Sequence, residues 1–203
     1  MEIEKRSFEI IESELKREHT AKIKPIVKRV IHTTADFSYE DTLCFSEGAV
    51  DKALLALKGG ASIVTDTNMA KAGINKKALA AYGGCVHCFM ADEDVAKEAK
   101  ARSITRAAVS MEKAAARKED FIFAIGNAPT ALIRLYEMIQ AGEIHPLLII
   151  GVPVGFVNVV EAKELIMSLK VPYIVARGRK GGSNVAAAIC NGLLYMEGKR
   201  PAQ

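Results

Sequence analysis

The chain has 203 residues, of which 50% are hydrophobic and 26% are charged, as in a globular protein with a sizeable core. The net charge of +4 comes from basic residues spread along the chain among acidic ones, which argues against a nucleic-acid-binding protein. The longest apolar runs are too short, and too often broken by glycine or proline, to span a bilayer.

The chain shows no linker-like segment, so we predict a single domain over residues 1–203, with a frayed tail after about residue 197. Its amino-terminal segment is charged and amphipathic and lacks the apolar core of a secretion signal. We therefore expect a cytoplasmic protein with reduced thiols at its four cysteines, Cys44, Cys85, Cys88 and Cys190.

The first half of the chain alternates between segments with helical spacing of apolar residues and short β-branched runs. In chain order, the predicted elements are a helix from Ile3 to about Glu18, a strand at 27–32 (VKRVIH), a helix capped by Ser46 and ending at Lys58, a strand at 61–66 (ASIVTD), and helical pieces over 68–84 interrupted at Gly73.

The second half continues the alternation and so predicts an α/β protein, in which helices cover both faces of a mostly parallel sheet. In chain order, the predicted elements are a strand at 85–89 (CVHCF), a helix capped by Asp92, a helix from Ser103, a strand at 121–126 (FIFAIG), a helix from Pro129, a strand at 146–152 (PLLIIGV), a helix from about Asn158, a strand at 172–178 (PYIVARG) and a helix over 183–196.

Polar, glycine-rich and basic residues follow the predicted strands. Since ligands of parallel sheets bind beyond the carboxyl ends of the strands, we expect a binding site at this edge. The residues that follow successive strands are His32 and Thr33, then Asp66 and Asn68, then Gly126, Asn127 and Thr130, then GVPVGF, and finally RGRKGGSN.

The segment RGRKGGS has the features of an anion site. Arg177, Arg179 and Lys180 supply positive charge, while the two glycines that follow, Gly181 and Gly182, allow close approach to the backbone. A helix that begins near Ser183 adds free N–H groups. The alternative interpretation is a solvated basic turn whose glycines serve only the backbone. The anion is either a phosphate or a carboxylate.

Two other motifs give weaker signals. AIGNAPTAL is a strand, a tight turn and a helix, but it matches neither GxGxxG nor a P-loop, so a nucleotide is poorly supported. CVHC lacks the second cysteine pair of a zinc site and lies in a predicted strand, so we expect buried core cysteines there.

His32 follows the first predicted strand and has two interpretations. It is either a structural histidine with both ring nitrogens satisfied or a catalytic group at the rim of the sheet. His145 lies at the opposite end of a strand, away from the predicted site.

Several phrases, taken together and in order, resemble the precorrin-8X methylmutase family of cobalamin biosynthesis, also called cobalt-precorrin-8 methylmutases. The resemblance extends from about Ser7 to Met196. The phrases are SFEII, RVIH, SEGAVDKALLALKGGASIVTDTNMAKAGI, AIGNAPTALIRL, GVPVGFVN and RGRKGGSNVAAA.

The resemblance implies a three-layer α/β/α sandwich with a Rossmann-like sheet, a homodimer, and neither a metal nor an organic cofactor. The implied activity is that of an isomerase that moves a methyl group from C11 to C12 of precorrin-8X or cobalt-precorrin-8, giving hydrogenobyrinate or cobyrinate. The substrate is a corrinoid with many carboxylates, which would suit the basic, glycine-rich rim. The implied partners include no nucleic acid and no membrane.

The resemblance also assigns roles to residues. It makes His32 the catalytic residue, which protonates or hydrogen-bonds a ring nitrogen beside the migrating methyl group. It places Ser7, Arg29 and Arg106 against the substrate, the two arginines as partners of carboxylates. The other predicted substrate-binding residues are those of the rim, namely Asp66, Asn68, Asn127, Thr130, Arg177, Gly178, Arg179, Gly181, Gly182 and Ser183.

Two alternative functions remain open from the sequence. One is an α/β enzyme that binds a phosphorylated metabolite at RGRKGGS, and the other is a non-catalytic tetrapyrrole carrier.

Overall fold

The computed structural model describes residues 2–197 and contains a six-stranded sheet. The predicted frayed tail lies outside the described residues. The strands are β1 Leu43–Phe45, β2 Ile63–Thr65, β3 Val86–His87, β4 Ile122–Ile125, β5 Leu148–Gly151 and β6 Tyr173–Ala176.

Helices connect the strands, and most lie where the sequence predicts them. The long helix predicted over 68–84 is indeed in two pieces, separated after Gly73. The helices are α1 Glu2–Glu14, α2 Lys24–Thr34, α3 Tyr39–Thr42, α4 Ala49–Lys58, α5 Asn68–Gly73, α6 Lys76–Ala80, α7 Glu93–Arg102, α8 Arg106–Ala115, α9 Pro129–Gln140, α10 Val159–Met167 and α11 Ser183–Glu197.

The first predicted strand is wrong, because VKRVIH forms the middle of α2. Its β-branched residues favour a strand locally. However, Ile26, Val27, Val30 and Ile31 are all buried, and this spacing belongs to one face of a helix. The tertiary packing of that face against α1 and α11 outweighs the local preference. His32 therefore lies in the last turn of a helix and does not follow a strand.

The strand that the sequence missed is β1, which pairs antiparallel with β6 at one edge of the sheet. It has three residues, all half-buried, so it shows neither an apolar run nor a clear alternation. Ser46 does not cap α4 as predicted, since Gly48 takes that position. The Ser46 hydroxyl instead accepts the backbone N–H of Tyr173 at 2.9 Å.

The strand order is β1-β6-β5-β4-β2-β3, and every neighbouring pair except β1 and β6 is parallel. The chain passes from β2 outward to β3 and from β4 outward to β5 and β6. The neighbours β2 and β4 therefore form the switch point of the sheet, where a crevice opens beyond the carboxyl ends of the strands.

Two apolar layers enclose the sheet and confirm the α/β fold with helices on both faces. In β4, Ile122 and Ala124 face the layer of α1, α2, α4, α5 and α11, whereas Phe123 and Ile125 face the layer of α7 to α10. This alternation follows from the two-residue period of a strand. None of the described helices is both long enough and apolar enough to be a membrane-spanning segment.

Candidate active site

The crevice at the switch point is built around Asp66, which directly follows β2. Its side chain is 0% exposed. One carboxylate oxygen accepts the N–H of Gly126 at 2.9 Å, and the other accepts those of Asn127 and Ala128 at 2.8 and 2.6 Å. Burial raises the pKa of Asp66, while these three donors lower it. The carboxylate thus holds the loop after β4.

The loop after β4 lies directly on the start of α11. A side chain at Gly126 would place its Cβ 2.7 Å from Ser183 Cα and 2.8 Å from the Gly182 carbonyl oxygen, so only glycine fits. The Thr67 hydroxyl caps α5 by accepting the Ala70 N–H, and it lies 2.8 Å from the Ser183 hydroxyl. The structure therefore brings Asp66, Asn127, Gly182 and Ser183 together.

The segment 177–182, here called the basic loop, packs against the chain that follows β5. Gly178 and Gly182 have φ values of +86° and +142°, a region that other residues rarely adopt. The Gly182 N–H donates to the Val152 carbonyl at 2.9 Å. A Cβ on Gly181 would overlap that carbonyl oxygen. The three glycines are therefore required by the local backbone.

The three cations of the basic loop have different surroundings. Arg177 makes two hydrogen bonds to Glu164, at 2.9 and 3.2 Å, which raise its pKa. Lys180 pairs with Asp36 at 2.6 Å and lowers the pKa of that carboxyl group. Within residues 2–197, Arg179 makes no ion pair, and its guanidinium lies 5.5 Å from the centre of the Phe156 ring. Arg179 is thus the cation of this loop best placed for a ligand anion.

Arg106 and Thr130 lie at the starts of two neighbouring helices, α8 and α9. The Thr105 hydroxyl caps α8 and donates to the Thr130 hydroxyl at 2.9 Å, which joins the two helix starts. Arg106 is exposed and, within the described chain, its guanidinium makes no hydrogen bond or ion pair. Asn127 is also exposed, just before α9. Free donors thus gather on this side of the crevice.

His32, Arg29 and Ser7 form a second group on the outer surface of α1 and α2. The exposed His32 ring stacks on Phe8, with centroids 5.0 Å apart. The Arg29 guanidinium lies over the rings of Phe8 and Tyr195, at 5.2 and 4.8 Å, and 3.7 Å from Glu4. The Ser7 hydroxyl donates to the Ile3 carbonyl within α1.

This second group is connected to the basic loop through the end of α2. Asp36, four residues after His32, pairs with Lys180, which also donates to the Ser38 hydroxyl at 2.8 Å. A groove of about 520 Å³ adjoins Phe8 and Arg29 on the same face. Its Glu12 lies between Lys24 and Lys28, which lower its pKa to about 2. The structure therefore places the predicted residues in two clusters, which the ion pair of Lys180 with Asp36 connects.

One residue of the site was not predicted from the sequence. Lys163 of α10 is 0% exposed, and its ammonium donates to the carbonyls of Gly178 and Lys180 in the basic loop. Burial lowers its pKa to about 8. The signal was present in the sequence, because Val159, Ala162, Lys163 and Ile166 share one face at helical spacing.

The CVHC motif forms the edge strand β3 and its two flanking residues. Cys85 precedes the strand and therefore lies at the end of the sheet away from the crevice. Cys88 is buried, as expected, but Cys85 is exposed, so the expectation was wrong for that residue. The Cys85 sulfur lies 3.0 Å from His87 Nε2. In the described part of the chain, no group of three or more histidine, cysteine or acidic residues is arranged to hold a metal ion.

Comparisons with known proteins agree with this architecture. A sequence model of the precorrin-8X methylmutase family matches residues 2–196. The cobalt-precorrin-8 methylmutase of Priestia megaterium is 44% identical over 96% of this chain and 87% of its own length. The precorrin-8X methylmutase of Pseudomonas aeruginosa is 41% identical over 85% of this chain and 84% of its own.

A comparison of folds gives the same result as the comparison of sequences. A crystal structure of a precorrin-8X methylmutase from Thermus thermophilus matches with a TM-score of 0.88 and 40% identity, covering 96% of this chain and 94% of that one. The sequence match spans both clusters of predicted site residues, from Ser7 to Ser183. The chain therefore belongs to the precorrin-8X methylmutase family, whose members are isomerases of cobalamin biosynthesis.

Proposed function

We propose that the protein moves a methyl group from C11 to C12 of precorrin-8X or cobalt-precorrin-8, giving hydrogenobyrinate or cobyrinate. The observation that carries the proposal is the family match over residues 2–196, which includes every predicted site residue. The reaction is an isomerisation, so no atoms or electrons are gained or lost.

The charges and apolar surface of the crevice suit such a substrate. Arg106 and Arg179 have no ion pair within residues 2–197, so they are available for the carboxylates of a corrinoid. Phe156 and Val157 are 82% and 75% exposed beside Arg179, and Met69 at the start of α5 is 71% exposed. Apolar side chains next to cations favour a broad ring with an anionic periphery.

In this proposal, His32 holds or donates the proton at a ring nitrogen beside the migrating methyl group. Imidazole suits this task because it exchanges a proton near neutral pH. Thr33 and Thr34 do not hold the ring, since their hydroxyls donate to the carbonyls of Arg29 and Val30, at 2.9 and 2.8 Å. The stacking of Phe8 leaves the other face and the edge of the ring for substrate.

The roles of the predicted binding residues divide accordingly. Ser7, Arg29, Arg106, Asn68, Asn127, Thr130 and Arg179 are proposed to contact the substrate. Asp66 and the glycines of the basic loop are proposed to act by shaping the backbone, since the Asp66 carboxylate already accepts three N–H groups. Arg177 and Lys180 keep the loop attached to α10 and to the end of α2.

The test is a conversion assay with precorrin-8X and with cobalt-precorrin-8, followed by visible absorbance and product mass. Relatives bear both substrate names, so both compounds are required. We expect conversion of at least one to a product of unchanged mass. Binding without conversion would indicate a carrier, and a thermal shift with sugar phosphates alone would indicate an enzyme of phosphorylated metabolites.

A further inference from the structure

Lys163 is buried, and none of the acidic residues within 2–197 pairs with it. Its side chain is 0% exposed, and it lies on the face of α10 that also buries Val159, Ala162 and Ile166. Lysines are rarely buried completely unless they are paired, because removing the ammonium from water is costly. A methionine or leucine would fill this position at lower cost. The charge therefore requires a reason beyond packing.

The contacts of Lys163 supply that reason. Its ammonium donates to the Gly178 carbonyl at 2.7 Å and to the Lys180 carbonyl at 2.8 Å. Both peptide bonds are trans, so the N–H of each following residue points opposite to its carbonyl. The N–H groups of Arg179 and Gly181 are therefore turned away from the buried ammonium. Neither makes a backbone hydrogen bond within residues 2–197.

Other contacts fix the remainder of the same loop. The Gly155 N–H donates to the Arg179 carbonyl at 3.1 Å, and the Gly182 N–H donates to the Val152 carbonyl. Because the Gly178 and Lys180 carbonyls are bound by the ammonium, the alternate N–H groups of Arg179 and Gly181 remain as two donors beside the Arg179 side chain. Backbone donors grouped next to a cation are suited to bind an anion. The Lys163 ammonium thus fixes the orientation of two of the peptide groups in this loop.

We infer that Lys163 is a positioning residue, which orients the N–H groups of Arg179 and Gly181 toward a carboxylate of the substrate. The inference rests on the proposed function for the identity of that carboxylate, but the orientation of the loop does not depend on it. Lys163 does not touch the substrate. It acts on substrate binding through the loop and leaves the chemical step to His32.

The first experiment compares Lys163→Met with Lys163→Arg, and uses Lys170→Met as a control because Lys170 is an exposed lysine shortly after α10. We expect Lys163→Met to raise KM about tenfold while kcat stays within about twofold, because only binding is weakened. Lys163→Arg keeps donors for the carbonyls and should recover part of the affinity. A role in packing alone would lower the folded fraction, and hence the apparent kcat, with KM unchanged.

The second experiment follows the pH dependence of product binding. Because burial lowers the pKa of Lys163 to about 8, wild-type affinity should fall as pH rises from 7 to 9 and the ammonium loses its proton. The charged groups of the loop and their partners are Arg177 with Glu164, Lys180 with Asp36, and Arg179. The elements that contact α10 also carry titratable or charged groups, namely Arg134, Tyr136 and Glu137 on α9 and Tyr173 on β6. All are present in Lys163→Met, which should lack the alkaline loss of affinity. An equal loss in both proteins would overturn the inference.

A third readout is independent of the proposed function. Amide hydrogen exchange over residues 177–183 should be about tenfold faster in Lys163→Met than in the wild type, while the Lys170→Met control is unchanged. If the wild type converts neither corrinoid, the proposed function fails, and exchange still decides whether Lys163 orients the loop. Unchanged exchange and unchanged KM would overturn the inference even if the wild type is active.

Discussion

At the scale of single residues, the position of His32 at a helix end suits the catalytic role proposed for it. The final turn of α2 carries the imidazole outward, and stacking on Phe8 limits its rotation. The neighbouring threonines donate to backbone carbonyls, so they stiffen the helix end without occupying the ring nitrogens. Because the contact with Phe8 is through a ring face, both ring nitrogens of His32 can still hydrogen-bond to a substrate.

His32→Ala should abolish most conversion while retaining binding. We expect the rate to fall by about 10² to 10⁴, the usual contribution of a general acid or base, with substrate affinity within about threefold. Turnover is measured by absorbance and affinity by titration. His145→Ala is the control, since His145 is exposed near the opposite end of the sheet. Undiminished conversion would exclude His32 as the proton-transferring group.

Asp66 is the residue whose loss should most affect the crevice itself. In Asp66→Asn, an amide NH₂ replaces one acceptor and faces a backbone N–H of Gly126, Asn127 or Ala128. A buried donor without an acceptor costs about 1–3 kcal/mol. For a chain of this size we expect Tm to fall by about 2–4 °C for each kcal/mol.

The measurement for Asp66→Asn is thermal unfolding, with Asp120→Asn as the control because Asp120 is exposed. The exposed substitution should leave Tm almost unchanged. A Tm equal to that of the wild type in Asp66→Asn would show that the three backbone bonds do not support the loop after β4.

At the scale of elements, the start of α8 provides a cation without a partner in the described chain. Thr105 caps the helix and connects it to α9 through Thr130, so Arg106 is anchored at its backbone while its guanidinium stays exposed. Such an arginine adds little to stability, since exposed charges rarely do. Its value lies in pairing with a ligand carboxylate.

Arg106→Ala should weaken substrate binding more at low salt than at high salt. We expect a loss of about tenfold at low ionic strength and a smaller loss at 1 M salt, where the Debye length falls to about 3 Å. Titrations at the two salt concentrations measure this difference. The control is Lys97→Ala, an exposed cation of α7. Equal weakening at both salt concentrations would contradict a carboxylate partner.

At the scale of the whole molecule, strand patterns predicted most of the fold. FIFAIG and PLLIIG identified β4 and β5 because strands buried on both faces are continuously apolar. VKRVIH was wrongly predicted as a strand because its β-branched residues favour one, whereas the spacing of its buried residues is that of a helix. β1 was missed because three half-buried residues at a sheet edge carry too little pattern.

The site was predictable where it follows strands and less so where it depends on distant contacts. The rule that ligands bind beyond strand ends located Asn127 and the basic loop. It gave the wrong local structure for His32, whose proposed role rests on the resemblance to the family. The pairing of Lys180 with Asp36 joins positions 144 residues apart, which no local pattern reveals. The burial of Lys163 is not predictable from its residue type, because lysines are seldom buried.

The exposed apolar side chains bear on the assembly of the molecule. Ile3 is 84% and Ile10 is 46% exposed on α1. Large apolar side chains grouped at a surface are typical of contact regions. Together with the dimer implied by the family resemblance, they lead us to expect a homodimer in solution.

Light scattering after gel filtration should therefore give a mass of twice the 21.9 kDa of one chain. The mass should persist on dilution to about 1 μM, because a stable homodimer buries enough apolar surface to bind at least this tightly. Ile10→Glu places a charge on the outer face of α1 and should shift the equilibrium toward the monomer if that face is buried. Glu98→Gln on α7 is the control, since it changes an exposed charge elsewhere. A single-chain mass for the wild type at every concentration would contradict the homodimer.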